Sequence, residues 1–132
     1  MTLLRSEPGV TRSVDLEAAP AEVWDALTVD ALLAEWLADE VELEAEPGGE
    51  IVCRYADGEE RRGEVEVVEE AERLAWSWWR EGDEAPSRVE LILDAVAEAR
   101  TRLTVIETPT VSAAAWSAPL ARLRVAVRLV LA

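Results

Sequence analysis

The chain has 132 residues, and its 13 basic residues, all arginine, stand against 28 acidic residues, so its formal net charge at pH 7 is −15. This length suits one domain with a buried core, and the negative charge repels phosphate groups, which excludes nucleic acid and anionic membrane surfaces as partners. Histidine, lysine, asparagine, glutamine and phenylalanine are absent, so imidazole metal sites, Ser-His couples and Schiff bases are excluded.

The cysteine content and the termini predict a simple cellular setting. Cys53 is the single cysteine, so the chain can form neither an internal disulfide nor a cysteine cluster for zinc. The first ten residues lack the apolar segment of a signal peptide, and the most apolar stretch, 125–131, is short and interrupted by Arg128. These features predict a cytoplasmic protein with no membrane segment, no metal and no cofactor.

Short elements are predicted for the first forty residues. Alternating apolar residues over positions 10–16 are typical of a strand. Pro20 suits the first position of a helix, where its missing N–H leaves nothing unsatisfied, and Asp30 can cap a second short helix. Each helix carries an apolar stripe at helical spacing, made of Val23, Trp24 and Leu27 in the first and Leu33, Trp36 and Leu37 in the second.

Six further strands are predicted between Val41 and Thr108, where apolar residues recur at every second position and turn signals interrupt the pattern. Their predicted bounds are 41–46, 50–56, 60–69, 73–80, 87–95 and 101–108. The connections are too short for the crossovers of a parallel sheet, so we expect an antiparallel meander. One face of each strand is apolar and the other carries most of the charge, as expected when one side meets water.

The last segment returns to helical spacing. Its apolar stripe consists of Trp116, Leu120, Leu123, Val127 and Leu131. Pro119 would break a helix interior, so the regular helix begins near Ser117 or carries an early kink. This order of elements predicts a curved sheet closed by one long helix, with apolar space between the two layers.

An ordered set of short motifs runs through almost the whole chain. APAEVWDALT at 19–28 is followed by LAEWL at 33–37, PGGE at 47–50, DG at 57–58, GEV at 63–65, RL at 73–74 with Trp76 and Trp78, TRLTV at 101–105 with Glu107, and Trp116 with Leu120 and Leu123. In this order and spacing the motifs resemble the Hsp90-ATPase-activator-like (AHSA1-type) family over about residues 10–131.

The resemblance implies the helix-grip fold of the START and Bet v 1-like (SRPBCC) proteins. This is an α+β fold with a seven-stranded antiparallel curved sheet, two short helices after the first strand and a long C-terminal helix on the concave face. It implies a single domain spanning residues 1–132, and an apolar cavity between the sheet and the helix. The eponymous co-chaperone domain contacts Hsp90, whereas the wider group includes lipid and polyketide binders and cyclases.

The candidate site is this cavity, which the parity of the strands predicts to be lined mainly by tryptophan. Its predicted lining residues are Trp36, Tyr55, Val65, Val67, Trp76, Trp78, Leu91, Glu107, Trp116, Leu120 and Leu123. Tyr55 and Glu107 are candidate polar contacts. A filled core is the alternative interpretation, because aromatic rings dominate cores as well as pockets. Since amide and imidazole side chains are absent, a buried indole N–H must bond to a carboxylate, hydroxyl, carbonyl or water.

The predicted function is non-enzymatic binding of a small hydrophobic or aromatic molecule, with no catalytic residue. Two alternatives stay open. One is a protein-interaction module of the Hsp90-regulator kind, with a chaperone contact. The other is a polyketide-cyclase-like enzyme in which Glu107 or Tyr55 moves a proton. Trp79 has the opposite parity to Trp76 and Trp78, so we expect it on the outer face, where a homodimer or another partner could cover it.

Overall fold

The computed structural model describes residues 9–109 and 113–131, and within them one antiparallel sheet of seven strands in the order β1-β7-β6-β5-β4-β3-β2. The strands are β1 (Val10–Leu16), β2 (Glu40–Leu43), β3 (Glu50–Arg54), β4 (Glu60–Glu69), β5 (Arg73–Arg80), β6 (Ser87–Ala97) and β7 (Arg100–Thr108). Strands β2 to β7 form the expected meander, and β1 returns to pair with β7. The predicted fold class is therefore confirmed.

The helices lie where the sequence predicts them, although the second is shorter than expected and is not capped by Asp30. They are α1 (Pro20–Thr28), α2 (Asp30–Leu33) and α3 (Ser117–Leu131), and a 3₁₀ turn (Ala113–Trp116) leads into α3. Because α3 begins at Ser117, Pro119 lies in its first turn, where a proline breaks no intrahelical bond.

The second helix is shorter than its apolar stripe suggests. After Leu33 the backbone tightens, and the N–H of Trp36 donates to the carbonyl of Leu33 three residues earlier. This turn brings the indole under α1, where its Nε1 donates to the carbonyl of Ala26 at 2.9 Å. The predicted cap role of Asp30 is wrong, since its carboxylate instead accepts the N–H of Leu43 at 3.1 Å.

The space between α3 and the inner face of the sheet, the face that packs against the helices, is filled by side chains. Trp36 and Trp76 are both fully buried there. The core also includes Val65, Leu74, Leu91, Leu103, Val105, Leu120, Leu123 and Val127. The expected apolar cavity is therefore occupied by core packing along most of the helix.

A β-bulge in β4 changes which side chains face the core. Val65 pairs with Trp76, but Val67 pairs with Ala75, so the chain gains one residue at Glu66. An extra residue inverts the alternation of faces beyond it. The prediction that Val67 lines the inner face is therefore wrong, and Val68 packs against the core instead.

The outer face of the sheet carries rows of ion pairs. Arg54 lies 2.7 Å from Glu42, Arg88 lies 2.8 Å from Glu66, and further pairs join Arg62 to Glu50, Arg73 to Glu90 and Arg102 to Asp15. Hydrogen bonding to Arg102 holds the pKa of Asp15 below its ordinary value. The acidic runs of the sequence thus belong to a solvated, charge-alternating surface.

Candidate functional site

A pocket of about 430 Å³ lies at one end of the sheet, where the β3–β4 turn, the end of β7 and the start of α3 meet. Its lining residues are Leu37, Tyr55, Asp57, Glu59, Arg61, Trp78, Arg80, Glu107, Ala115, Trp116, Pro119 and Arg122. Pockets of roughly 300–1,000 Å³ are the usual size for drug-sized ligands. The site is therefore large enough for a small organic molecule.

Glu107 accepts hydrogen bonds from the side chains that form the walls of this pocket. It lies near the end of β7 and only 5% of it is exposed. Its Oε1 accepts the indole N–H of Trp116 at 2.9 Å, and its Oε2 accepts the indole N–H of Trp78 at 2.9 Å. The Ser87 hydroxyl also donates to Oε2, at 2.7 Å. A carboxylate thus serves as the indole partner in a chain that lacks amide and imidazole groups.

The aromatic rings held by Glu107 pack against one another. The rings of Trp78 and Trp116 are stacked, with centroids 6.2 Å apart. Trp76 meets Trp78 edge to face at 5.5 Å. Both geometries are favourable arrangements for aromatic pairs. The result is an aromatic wall, a row of buried and mutually packed rings, that runs from the core to the pocket.

The local backbone at Gly63 brings β4 unusually close to β5 beside this wall. Gly63 pairs with Trp78, and a Cβ at Gly63 would lie 2.0 Å from the carbonyl oxygen of Ser77. No side chain could fit there without moving the strand. The glycine therefore allows the tight approach that places Trp78 at the pocket.

Arg61 is a pocket residue that sequence reasoning missed. It shares the inward parity of Gly63 and Val65 on β4, and that parity was the available signal. Its guanidinium carbon lies 4.5 Å from the centre of the Trp78 ring, a cation–π contact. Arg122 on α3 also lines the pocket, and its Nε donates to the carbonyl of Trp36 at 3.2 Å.

Some of the arginines that line the pocket form ion pairs and others do not. Arg80 pairs with Glu59 at 3.3 Å. By contrast, none of the ion pairs within residues 9–109 and 113–131 involves Arg61 or Arg122. Two guanidinium groups thus line the pocket without an ion-pair partner among the described residues.

Two inner-face groups with acidic protons stay neutral near pH 7. Burial raises the pKa of Tyr55 to about 12, although the nearby Arg61 acts in the opposite direction. Burial likewise raises the pKa of the Cys53 thiol to about 12. Tyr55 is thus a hydrogen-bond donor at the pocket, and Cys53 is an unreactive core residue.

The structure separates the predicted site residues into two groups. Tyr55, Trp78, Glu107 and Trp116 come together at the pocket. Among the others, Val67 lies beyond the bulge. The rest belong to the core, and they are Trp36, Val65, Trp76, Leu91, Leu120 and Leu123. Trp76 is unusual among them, because its buried indole N–H has no hydrogen-bond partner among the residues that the structure describes. Trp79 is 43% exposed, which confirms that it leaves the inner face.

Within residues 9–109 and 113–131, no three acidic or cysteine side chains are grouped so that they could hold a metal ion. In the same part of the chain no helix is long and apolar enough to cross a membrane.

The fold defines a class of protein before any relative is considered. A seven-stranded antiparallel sheet packed against a C-terminal helix, with two short helices after the first strand, is the helix-grip α+β architecture. Residues 17–122 match the family described as Activator of Hsp90 ATPase homolog 1-like protein. The match covers most of the chain, so the protein belongs to this family, and the resemblance inferred from the motifs is confirmed.

Solved structures agree with this placement. Protein MLL2253 from Mesorhizobium loti is 19% identical, with a TM-score of 0.82 over 92% of this chain and 97% of that chain. DynU16, from the dynemicin biosynthetic locus, is 25% identical, with a TM-score of 0.82 over 92% of this chain and 48% of its own. The Aha1 dimer from Colwellia psychrerythraea is 17% identical, with a TM-score of 0.67 over 93% and 92%. Comparison with the curated proteins gives no match.

Proposed function

We propose that the protein binds a small hydrophobic or aromatic molecule, without chemical conversion, in the pocket walled by Trp78 and Trp116. The observation that carries this proposal is that Glu107 holds both indoles in place by hydrogen bonds inside the protein. A wall that is already ordered loses little conformational entropy when a ligand arrives. The site lies at the end of the sheet and not beneath the middle of α3, where the core is filled.

The similar structure DynU16 adds modest support. It comes from a protein in a biosynthetic locus, that of dynemicin. A relative placed beside biosynthetic enzymes accords with a role in handling small molecules. Fold similarity by itself carries no function, so the pocket remains the main argument.

The cyclase alternative has little support from the pocket. Glu107 already accepts three hydrogen bonds, from two indoles and one hydroxyl, so little of it is free to take a proton from a substrate. Tyr55, with its pKa raised to about 12, is a poor general base near neutral pH.

Protein interaction is a second candidate function, and the exposed Trp79 on the outer face favours it. Exposed tryptophan is enriched at interfaces. The family description names an Hsp90 ATPase activator, and one similar structure is a dimer. We therefore propose a chaperone contact or a homodimer at Trp79 as the alternative. Light scattering and pull-down with Hsp90, each on the wild type and Trp79→Ala, test it, and unchanged mass and capture in the variant would remove it.

Binding of an aromatic probe tests the main proposal. Isothermal titration with 2-naphthol should give saturable binding, and the melting temperature should rise with probe concentration, because a ligand that binds the native state stabilises it by mass action. Trp116→Leu should weaken the binding, whereas the matched variant Trp79→Leu should not. Equal binding by both variants, or no binding by the wild type, would contradict the proposal.

A further inference from the structure

We infer that the ligand of this pocket carries an anionic, acceptor-rich head group of the carboxylate type on a planar apolar body, and that Arg61 and Arg122 bind the head group. This inference rests on the proposed function, since it names the chemical class of molecule for the same site. Its basis is the set of hydrogen-bond donors that the pocket presents and leaves unused.

The donors of the pocket fall into two sets. The indole N–H groups of Trp78 and Trp116 are satisfied by Glu107. Arg61, in contrast, touches the Trp78 ring and makes no hydrogen bond or ion pair with any residue that the structure describes. Arg122 uses its Nε on a backbone carbonyl, and its terminal nitrogens make no hydrogen bond within the described part of the chain. A guanidinium has five N–H donors and no acceptor, so these groups can bond to the acceptor oxygens of a ligand in place of water.

The charge pattern of the chain points in the same direction. Acidic residues outnumber arginines by more than two to one, and the arginines of the outer face pair with carboxylates across the sheet. Arg61 and Arg122 nevertheless face a shared pocket without such partners. The acids of that pocket are already engaged, because Glu59 pairs with Arg80 and Asp57 accepts the N–H of Glu59.

The position of Arg61 suits a planar anion. A guanidinium that contacts an aromatic face keeps its N–H edge available for a bidentate bond to a carboxylate. The apolar body of the ligand would lie beside the pocket-lining residues Ala115, Trp116 and Pro119. Tyr55 adds a neutral O–H donor to the pocket, because a phenol is uncharged near pH 7 and burial raises the pKa of this one further, to about 12.

A cationic ligand fits the observations less well. It would have to pair with Glu107, which is 95% buried and already accepts three hydrogen bonds. It would also approach Arg61 and Arg122, and these like charges would repel it.

Two probes of the same shape separate charge from apolar stacking. 2-Naphthoate carries a carboxylate, whereas 2-naphthamide places a neutral amide on the same ring system. By isothermal titration at pH 7.5 the wild type should bind naphthoate tighter than naphthamide by roughly tenfold or more, because hydrogen bonds to a charged group are the stronger ones. Arg61→Gln should weaken naphthoate binding far more than naphthamide binding, and so remove most of this preference.

The chain offers a matched control for each arginine. Arg62 follows Arg61 on β4 and faces outward. The variant Arg62→Gln therefore changes the net charge by the same amount as Arg61→Gln without altering the pocket. Arg124→Gln is the corresponding control for Arg122→Gln on α3, since both arginines are exposed but only Arg122 lines the pocket. Only the variants at Arg61 and Arg122 should lose the preference for naphthoate. Circular dichroism melts confirm that each variant is folded.

Three further outcomes would each contradict a different part of this account. Equal binding of naphthoate and naphthamide by the wild type would refute the anionic class while leaving aromatic binding in place. Equal losses in Arg61→Gln and Arg62→Gln would show a general effect of net charge and refute the role of Arg61. Absence of binding by both naphthoate and naphthamide would overturn the proposed function together with this inference.

Discussion

The indole rings of Trp78 and Trp116 lie nearly parallel, with an interplanar angle of 16° and centroids 6.2 Å apart. Trp78 belongs to β5, and Trp116 ends the 3₁₀ turn that leads into α3. Their N–H groups reach opposite oxygens of the same carboxylate, that of Glu107. Sheet and helix are thus joined at the pocket by one acidic side chain, and disturbing it should affect both stability and binding.

The substitution Glu107→Gln tests this connection between the sheet and the helix. A glutamine amide keeps one acceptor oxygen and replaces the other with a donor, so at least one indole N–H loses its partner. Leaving a buried donor unsatisfied costs about 1–3 kcal/mol in the free energy of unfolding. Urea denaturation measures it. The exposed Glu64→Gln on β4 is the control and should change stability by less than about 0.5 kcal/mol. Similar values for the two variants would refute the role of Glu107.

The adjacent residues Trp78 and Trp79 provide a test of strand orientation. Only 3% of Trp78 is exposed, against 43% of Trp79. Trp78→Ala should therefore lower the free energy of unfolding by about 3–5 kcal/mol, the usual cost of emptying a buried aromatic site. Trp79→Ala should lower it by less than about 1 kcal/mol. Thermal or urea unfolding of both variants decides the matter, and a reversed order would mean that β5 has the opposite face inward.

The β-bulge in β4 predicts unequal effects of the same substitution at Val65 and Val67. Val65 is fully buried on the inner face, whereas Val67 lies beyond the bulge and is partly exposed. Val65→Ala should cost roughly 2 kcal/mol through lost apolar burial and a residual cavity. Val67→Ala should cost less than half as much. Equal losses in urea unfolding would indicate an uninterrupted strand.

Alkaline pH should destabilise the fold through Cys53 and Tyr55. Folding raises the pKa of Cys53 from 9.0 to about 12 and that of Tyr55 from 10.0 to about 12. Because the folded chain holds both protons more tightly than the unfolded chain, the stability from these groups is complete below about pH 9 and falls as pH rises toward about 12. A Cys53→Ala, Tyr55→Phe variant should show a shallower decline in unfolding free energy between pH 9 and 11. An identical decline would exclude the two groups as its source.

Replacing the glycine at position 63 with any other residue is expected to destabilise the fold. A Cβ there would lie 2.0 Å from a backbone oxygen of Ser77, and a backbone atom cannot move aside as a flexible side chain can. Gly63→Ala should therefore cost about 1–3 kcal/mol, the range for forced overpacking. The loss should also weaken 2-naphthol binding, since Gly63 pairs with Trp78. Unchanged stability in urea unfolding would contradict the close approach.

Particular residues show how far local patterns reach. The start of α1 at Pro20, the start of α3 at Ser117 and the exposure of Trp79 agree with the sequence prediction, because each depends on neighbours only a few residues away. Val67 and Asp30 were predicted wrongly. A one-residue bulge reverses the faces beyond it, and the Asp30 carboxylate finds a partner on β2 that helix capping rules do not consider.

The sequence by itself determined the order of elements, the antiparallel meander, the charged outer face and the absence of imidazole and amine chemistry. These properties follow from residue types and from periods of two and 3.6 residues, which are local. Only the tertiary structure decided which tryptophans fill the core and which wall the pocket, that Glu107 bridges Trp78 and Trp116, and that Arg61 faces the site. Those relationships depend on strand register and on the spatial distance between residues far apart in the chain, such as Trp78 and Glu107, which are 29 positions apart. The alternation of apolar residues along a strand specifies neither the register nor the distance.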